Sequence, residues 1–347
     1  MSGTRYLILA EGFSSDAHYG KTMRGVLRYR SDDVVAILDS TRAPGETEEG
    51  VPVVQSVNDS LCFNPNTALV GVATQGGRFP PAWIELLKQC IAKGLDIENG
   101  LHVILGDDPE LSELARRHNV ALRDLRRAPA DLSTATGENM SVPGTIVLTV
   151  GSDCAIGKMT VSLELDLEAR RRGATSIFVP TGQTGIAIAG WGIAVDAVVA
   201  DFIAGAAERL LVEGSARIDN AADGILWVEG QGSVIHPVYS GVTLGLFHGS
   251  VPHKLVLCHQ AGHTEIEGAG GGPHPLLPLR ELVALHERLA LPARPAKVVA
   301  VDLNTRDLDE EAAREAVAAA EAETGLPADD PVRFGPKRLV DAVFEGG

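Results

Sequence analysis

The stretch Thr145–Thr160, TIVLTVGSDCAIGKMT, decides the fold of this chain of 347 residues. An apolar and β-branched run leads into a turn that contains Gly151 and Gly157 and closes on Lys158. The next residues, VSLELDLEARRRG, have the composition of a helix that ends at a glycine. A strand, a glycine-bearing loop, a lysine and a helix N-terminus together bind phosphate, because the N–H groups of the loop point at the anion. The sequence therefore predicts a P-loop.

The loop departs from the regular Walker pattern G-x-x-x-x-G-K-[ST] at two positions. A serine stands six residues before the lysine, and a methionine follows the lysine, so that the hydroxyl is displaced by one residue. The loop GSDCAIGK resembles the longer GTDxxxGK loop of dethiobiotin synthetase and its relatives. Nothing in the loop separates ATP from the phosphates of coenzyme A. The displaced hydroxyl argues against an ordinary Mg-ATP site, because that side chain normally ligates the metal. The predicted phosphate contacts are Gly151, Ser152, Asp153, Ala155, Gly157, Lys158, Met159 and Thr160.

Composition restricts the class of protein. The formal net charge of −16 argues against nucleic-acid and anionic-membrane partners, because both require a basic face. Hydrophobic residues make up 45% of the chain and aromatic residues only 4%, which favours an α/β protein with close contacts between helices and sheet. The four cysteines form no C-x-x-C pair, which indicates reduced thiols. With no apolar run of membrane-spanning length and no leader-like start, we expect a soluble, cytoplasmic protein.

The length of the chain favours two domains. The predicted strands are Arg5–Ala10, Val34–Asp39, Thr67–Ala73, Leu101–Gly106, Thr145–Val150, Thr175–Pro180, Ile225–Gly230, Lys254–His259 and Lys297–Asn304. Strands that alternate with helices predict parallel sheets, with ligands at the carboxyl ends of the strands. We expect a Rossmann-like α/β domain over residues 1–130, a polar linker over 131–143 and a P-loop NTPase-like α/β domain over 144–347. A last, surface helix is expected over Asp309–Thr324.

A second motif, ILWVEGQGSVIHP, follows the P-loop along the chain. Its apolar strand places Glu229 at the carboxyl end, where P-loop proteins hold Mg²⁺ or orient a nucleophile. The VEGAGG run of dethiobiotin synthetase is similar. His236 is a candidate general base because histidine titrates near neutral pH, and Gln231 and Ser233 are candidate substrate contacts. The alternative interpretation is that Glu229 caps the next turn.

The loop FVPTGQTGIAIAG provides hydrogen-bonding groups without charge, and Gln183 is therefore a candidate contact for the amide or ribose groups of a cofactor. His263 is a further candidate base. Although His259 precedes it by four residues, the spacing lacks the glutamate of H-E-x-x-H and contains a glycine. We therefore expect no metal site at these histidines.

In the first domain, HYGKTMRGVLRY places basic residues around a predicted helix start. Lys21 and Arg28 are candidates for binding the carboxylates of a substrate. The alternative is a solvated basic face of a helix, which needs no ligand.

Several segments together resemble one family: the run Lys21–Tyr29, GSDCAIGKMT, VPTGQTG, VDAVVADFIAGAAE, GQGSVIHP and ETGLPADDPVRFG. Over nearly its whole length, the chain resembles a two-domain P-loop family formerly catalogued as a domain of unknown function. Members of this family have been assigned as D-glutamate N-acetyltransferases of the DgcN type.

The resemblance implies an N-acetyltransferase that moves acetyl from acetyl-CoA to the amino group of D-glutamate or a related D-amino acid. Under this reading the P-loop holds CoA phosphates, and Glu229, His236 and His263 are the candidate catalytic residues. The resemblance also implies a role in D-amino acid catabolism, beside a dehydrogenase- or racemase-like partner enzyme. A homo-oligomer is the default expectation for such an enzyme.

Two other functions remain open from the sequence. The first is an ATP-dependent enzyme of the dethiobiotin-synthetase type, which activates a carboxylate or carbamate and needs Mg²⁺. GSDCAIGK and VEGQG favour it, whereas Met159 directly after the lysine opposes it. The second is a nucleotide-binding module without catalytic activity.

Overall fold

The computed structural model describes residues 3–16, 19–74, 77, 79, 82–270 and 272–345. Strands β1–β13 are, in order, Tyr6–Leu9, Val34–Leu38, Thr47–Glu48, Val51–Val54, Thr67–Val70, Asp96–Asn99, Leu122–Asp124, Thr145–Gly151, Ser176–Val179, Ile225–Val228, Lys254–Gln260, Lys297–Asn304 and Ala328–Asp329. Helices α1–α11 are, in order, Lys21–Arg30, Val57–Ser60, Ala82–Ala92, Pro109–His118, Lys158–Arg171, Gln183–Ala189, Ile203–Ser215, Ser240–Ser250, Leu279–Leu289, Glu310–Thr324 and Lys337–Glu345. Within these residues, no helix has the length and apolarity that a membrane span requires.

The first compact unit consists of Met1–Arg127 together with Gln183–Ala197. Its sheet has the order β3-β4-β2-β1-β5-β6-β7, and its strands are parallel except for the pairing of β3 with β4. Alternate residues of the central strand β1 belong to different hydrophobic cores. Leu7 and Leu9 pack with residues of α3, whereas Ile8 packs with residues of α1 and α6. Helices therefore cover both faces of the sheet, as a parallel sheet requires.

The second compact unit consists of Ala128–Gly182 together with Val198–Gly347. Its parallel sheet has the order β13-β12-β11-β8-β10-β9, so β8 lies between β10 and β11. Residues 131–143 belong to this unit, where the buried Glu208 carboxylate accepts hydrogen bonds from Thr136 N at 2.7 Å and Gly137 N at 2.8 Å. The carboxyl ends of β8 and β10 are adjacent in this sheet, and loops that follow them line one edge.

The predicted α/β class with two mostly parallel sheets is confirmed, but the predicted strand Leu101–Gly106 is wrong. The sheet uses β6 instead, and the Asn99 side chain at its end donates to Val103 O at 2.6 Å. Two acidic residues in β6 made this strand look like a loop in the sequence. One of them, Glu98, accepts a hydrogen bond from the Tyr6 hydroxyl at 2.8 Å inside the unit.

The expectation that the helix near Asp309–Thr324 is the last one is also wrong. The structure places α10 there and adds α11 after it. Leu339, Val340 and Val343 of α11 are buried in the same hydrophobic core as β8 and α5. The helix therefore stabilises the unit that carries the P-loop segment.

Candidate phosphate-binding site

The loop between β8 and α5 has the backbone of an anion site. Gly157 precedes α5 with a φ of 119°, and the helix has no side-chain cap at this end. Ala155 also has a positive φ, 54°, which L-residues other than Asn and Asp seldom adopt. Successive N–H groups in such a loop and at an uncapped helix start point into one concave space. The arrangement therefore favours an anion in front of α5.

Lys158 is buried and donates a hydrogen bond from Nζ to Asp153 O at 2.6 Å. Burial lowers the pKa of Lys158, and the nearby charges of Asp153 and Glu229 act in the opposite direction. Gly151 makes room for this side chain. A Cβ on Gly151 would lie 3.2 Å from Lys158 Nζ and 2.8 Å from Ile156 Cδ1. The hydrogen bond to Asp153 O thus holds the lysine side chain inside the loop, in the space that the absence of a side chain at Gly151 leaves open.

Asp153 shapes the loop through its carboxylate. Oδ1 accepts from Cys154 N at 2.6 Å, and Oδ2 accepts from Glu267 N at 2.8 Å. Asp153, Cys154 and His236 each place a potential metal-ligand atom within 4.8 Å of the others. However, the carboxylate already accepts two backbone N–H groups, and Lys158 carries a positive charge beside it. These contacts favour an anion over a cation at this loop.

Glu229 lies directly after β10 and is 4% exposed. Its Oε2 accepts from Thr181 N at 2.9 Å and from Gly182 N at 3.1 Å, and its Oε1 accepts from Gln231 Nε2 at 3.1 Å. The carboxylate therefore fixes the loop after β9 to the loop after β10, in addition to the charge it places near Lys158.

The predicted base His236 is buried and has partners on both ring nitrogens. Val238 N donates to Nδ1 at 3.1 Å, so the proton of the neutral ring lies on Nε2, which is 3.4 Å from Glu267 O. To accept a proton, the ring would have to give up the bond from Val238. Next to it, the Ser233 hydroxyl donates to Ser152 O at 3.0 Å. Both predicted residues thus contact the phosphate loop or its support.

His259 and His263 do not share a helix face, since His259 lies in β11 and His263 in the turn after it. The His259 Nδ1 is 2.9 Å from the Ser152 hydroxyl, and burial lowers the pKa of His259 to about 4. The His263 side chain is 20% exposed, and its Nε2 lies 3.6 Å from Glu267 Oε1. Of the two rings, only His263 is therefore both accessible and close to a carboxylate.

Three predicted site residues belong to the other compact unit. Gln183 begins α6, and its Oε1 accepts from Arg126 Nη2 at 2.8 Å. Lys21 and Arg28 are exposed and lie seven positions apart on α1, a spacing of two turns that places them on one face. The guanidinium of Arg28 lies 5.5 Å from the ring centroid of Tyr29.

Two predicted contacts, Met159 and Thr160, lie in the first turn of α5 and are partly buried. The sequence did not single out Asn304, the last residue of β12. Its Nδ2 donates to Ile156 O at 2.9 Å and so ties the end of β12 to the phosphate loop. The signal was a polar residue at the carboxyl end of the apolar run KVVAVDLN, where ligands of parallel sheets bind.

Models of two protein families match the chain. Residues 133–340 match a family described as a domain of unknown function, DUF1611_C, P-loop domain. Residues 39–128 match DUF1611_N, a domain of unknown function described as Rossmann-like. A protein of Tritonibacter scottomollicae named D-glutamate N-acetyltransferase is 37% identical over 99% of both chains. A protein of Pseudoalteromonas sp. with the same name is 35% identical over 82% of this chain and 83% of its own.

A solved structure has the same fold. It is the crystal structure of a DUF1611 family protein from Anabaena variabilis, which is 40% identical and covers 99% of this chain and 100% of its own, with a TM-score of 0.89. The match extends over both compact units in sequence, and the two family models divide it near residue 130. The chain therefore belongs to the DUF1611 family, whose members combine a Rossmann-like N-terminal domain with a P-loop C-terminal domain.

Proposed function

We propose that this protein is an N-acetyltransferase that moves the acetyl group of acetyl-CoA to the amino group of D-glutamate or a related D-amino acid. Both curated relatives carry the name D-glutamate N-acetyltransferase, and one of them aligns over 99% of both chains. At 37% identity over that length, a shared reaction class is the simplest explanation.

The main observation in support of CoA as the acetyl carrier is the phosphate loop. The uncapped start of α5 and the ammonium of Lys158 suit a phosphate or pyrophosphate group. Met159 occupies the position of the usual Mg²⁺-ligating hydroxyl, which favours phosphate binding without a metal. Acetyl-CoA supplies an acetyl group that its thioester activates, and the chain holds the phosphates at the other end of the molecule.

The length of CoA separates the phosphates from the reacting thioester. The pantetheine arm is comparable to four extended residues, about 14 Å. Glu229 and His236 lie at the loop and are 4% and 1% exposed, so we assign them to holding the loop and the phosphates. His263, 20% exposed and 3.6 Å from the Glu267 carboxylate, is the proposed base that takes the proton of the substrate ammonium.

The acceptor and its surroundings are part of the same proposal. Lys21 and Arg28, exposed on one face of α1, are the proposed anchors for the two carboxylates of D-glutamate. All four cysteines are free thiols in the structure, which supports a reducing, cytoplasmic compartment. We further propose a homo-oligomer, and a partner enzyme that processes the N-acetylated product.

Release of CoA thiol tests the function. Acetyl-CoA is incubated with the protein and with D-glutamate, L-glutamate or no acceptor, without ATP or added metal. Thiol release that depends on D-glutamate supports the proposal, and mass spectrometry of the product must show one acetyl group on nitrogen. Absence of thiol release, combined with substrate-dependent ATP consumption in the presence of Mg²⁺, would contradict the acetyltransferase function and favour an ATP-dependent enzyme.

A further inference from the structure

An open cavity of about 380 Å³ lies at the carboxyl edge of the second sheet, in the loops and helix that follow β12 and β13. Its lining consists of Glu310, Arg314, Arg333 and Phe334. Arg333 and Phe334 belong to ETGLPADDPVRFG, a motif of the sequence to which the phosphate site assigns no role. The volume is within the range of sites for small molecules and cofactors.

The cavity is connected to the phosphate loop by a short series of contacts. Asn304, which donates to Ile156 O of the loop, is followed directly by Thr305. Arg333 donates from Nη2 to Thr305 O at 2.8 Å and to Leu308 O at 2.7 Å. The segment after β12 therefore touches the phosphate loop on one side and the cavity on the other.

A buried carboxylate makes the cavity wall rigid. Asp330, 4% exposed, accepts from Thr305 N at 3.0 Å and from Thr305 Oγ1 at 2.6 Å. Its other oxygen accepts from Val332 N and Arg333 N, each at 2.9 Å. The loop after β13 is thus fixed to the loop after β12, and Arg333 is presented from a backbone that is already ordered. Preorganised groups bind a ligand at a lower cost in conformational entropy.

The chemistry of the lining fits a phosphorylated nucleoside. The guanidinium of Arg314 lies 4.4 Å from the ring centroid of Phe334 and pairs with Glu310 at 2.8 Å. Arginines bind phosphate in a planar, bidentate way, and the aromatic ring provides a face for a base. The Glu310 carboxylate adds an acceptor for an exocyclic amino group. The Arg333 guanidinium donates to described residues through Nη2, so Nε and Nη1 can bind a ligand.

We propose that this cavity binds the adenosine 3′-phosphate end of the acyl donor, while the phosphate loop binds its pyrophosphate. The proposal rests on the proposed function for the identity of the donor. It assigns Arg314 and Arg333 to the 3′-phosphate and Phe334 to the adenine. The lining is therefore specific for CoA over smaller acyl thioesters that lack a nucleotide.

Binding of adenosine 3′,5′-bisphosphate tests the cavity without any reaction. Calorimetry is carried out on the full chain, its Arg314→Ala variant and a matched control, Arg117→Ala. Arg117 pairs with Glu113 at 2.8 Å with the same i,i+4 spacing as Arg314 with Glu310, and the two arginines are 65% and 63% exposed. Loss of one charge-assisted hydrogen bond is expected to weaken binding about ten-fold in Arg314→Ala, with no change in Arg117→Ala.

A second variant is expected to increase the affinity, which a purely structural disturbance of the cavity would not do. Glu310→Gln removes the negative charge beside Arg314 but keeps an amide oxygen as acceptor for the base, and is expected to tighten binding of the bisphosphate several-fold. If the wild-type chain fails to bind the bisphosphate, or if Arg314→Ala and Arg117→Ala bind equally, the proposal is overturned. Equal binding of 5′-ADP and the bisphosphate by the wild type would also overturn it, because the 3′-phosphate would then make no contact.

Kinetics with two donors separate this proposal from the proposed function. Arg314→Ala is expected to raise KM about ten-fold for acetyl-CoA and to leave KM unchanged for acetyl-pantetheine, which has no nucleotide. An equal change with both donors contradicts the cavity assignment while the acetyltransferase function stands. If the wild type releases thiol from neither donor, the function fails, and the calorimetric comparison still decides whether the cavity binds the nucleotide.

Discussion

Lys158 Nζ donates to Asp153 O at 2.6 Å, so the lysine of the phosphate loop is held by a carbonyl of the same loop. Burial lowers the pKa of this lysine, because the surrounding protein solvates an ammonium less well than water. One backbone oxygen compensates this cost in part. The charges of Asp153 and Glu229 also act on the ammonium, and a bound phosphate would add a negative charge in direct contact with it.

Lys158→Met should weaken CoA binding without a loss of fold stability. The substitution removes one charge-assisted phosphate contact, which corresponds to a loss of about 10- to 100-fold in affinity. The free energy of unfolding should stay level or rise, because the buried charge is gone. Lys254→Met is the control: its Nζ donates to Val343 O at 2.7 Å and burial also lowers its pKa, but it lies at the amino end of β11. Equal CoA affinity in both variants, measured by calorimetry, would contradict a phosphate role for Lys158.

Gly230→Ala should destabilise the second compact unit. A Cβ at this position would lie 1.8 Å from Thr149 O, so the strands at the phosphate loop would have to separate. We expect a loss of about 3 kcal/mol in the free energy of unfolding. Gly241→Ala is the matched control, because this glycine lies in α8 with no atom near its Cβ position. The free energy of unfolding of this variant should rise by about 0.5–1 kcal/mol. Urea unfolding measures both variants, and an unchanged free energy of unfolding in Gly230→Ala would show that the loop is less constrained than its contacts indicate.

Ionisation of Asp302 should make the protein less stable as the pH rises. Its side chain is buried, Oδ2 has no hydrogen-bond partner among the residues that the structure describes, and burial raises its pKa well above 3.8. A raised pKa means that the contribution to stability is complete below pH 3.8 and is lost as the pH rises through the folded-state pKa. Asp302→Asn should therefore unfold at higher urea than the wild type at pH 8. The exposed Asp219→Asn serves as control, and a wild type as stable at pH 8 as Asp302→Asn would refute the expectation.

The sequence predicted the phosphate loop because its chemistry is local. The apolar run, the glycines and Lys158 are consecutive, so β8, the loop and the start of α5 follow from the pattern alone. Glu229 was also predictable as a residue at the end of an apolar strand. Its partners were not, because Thr181 and Gly182 come from a different loop, and only the strand order brings them to the same edge.

Two other features depended on tertiary contacts that no local pattern contains. Strand β6 carries acidic residues, a composition that is typical of a loop. Glu98 is accommodated inside the unit because it accepts a hydrogen bond from Tyr6, which lies 92 positions earlier in the chain. The segment Gln183–Ala197 follows a strand of the second unit but packs with the first. From the sequence alone, such a segment is assigned to the domain that surrounds it in the chain. For this reason the sequence predicts Gln183 as a cofactor contact of the P-loop domain, whereas the structure places it in the first unit.

Substitution of the candidate histidines should separate the transfer step from donor binding. His263→Gln is expected to lower kcat about 100-fold with KM for acetyl-CoA unchanged, as loss of a general base does. His236→Gln is expected to raise KM for acetyl-CoA, because the ring donates towards Glu267 O beside the phosphate loop. The exposed His118→Gln should behave as the wild type. If His263→Gln keeps its kcat and its pH profile, the proposed base is wrong.

His259 should make the second unit sensitive to acid. Burial lowers its pKa to about 4, whereas an unfolded histidine titrates near 6.5. Between these values the unfolded state binds more protons than the folded state. The contribution of His259 to the free energy of unfolding is therefore fully present above pH 6.5 and is lost as the pH falls towards 4. This difference corresponds to about 3 kcal/mol, and protonation of the ring would make Nδ1 a donor towards the Ser152 hydroxyl. His259→Asn should reduce the wild-type decrease in the free energy of unfolding between pH 6.5 and 4 without abolishing it, because burial also lowers the pKa of His286 to about 4. The exposed His118→Asn should leave the decrease in place. The same slope in all three proteins would show that His259 does not contribute to it.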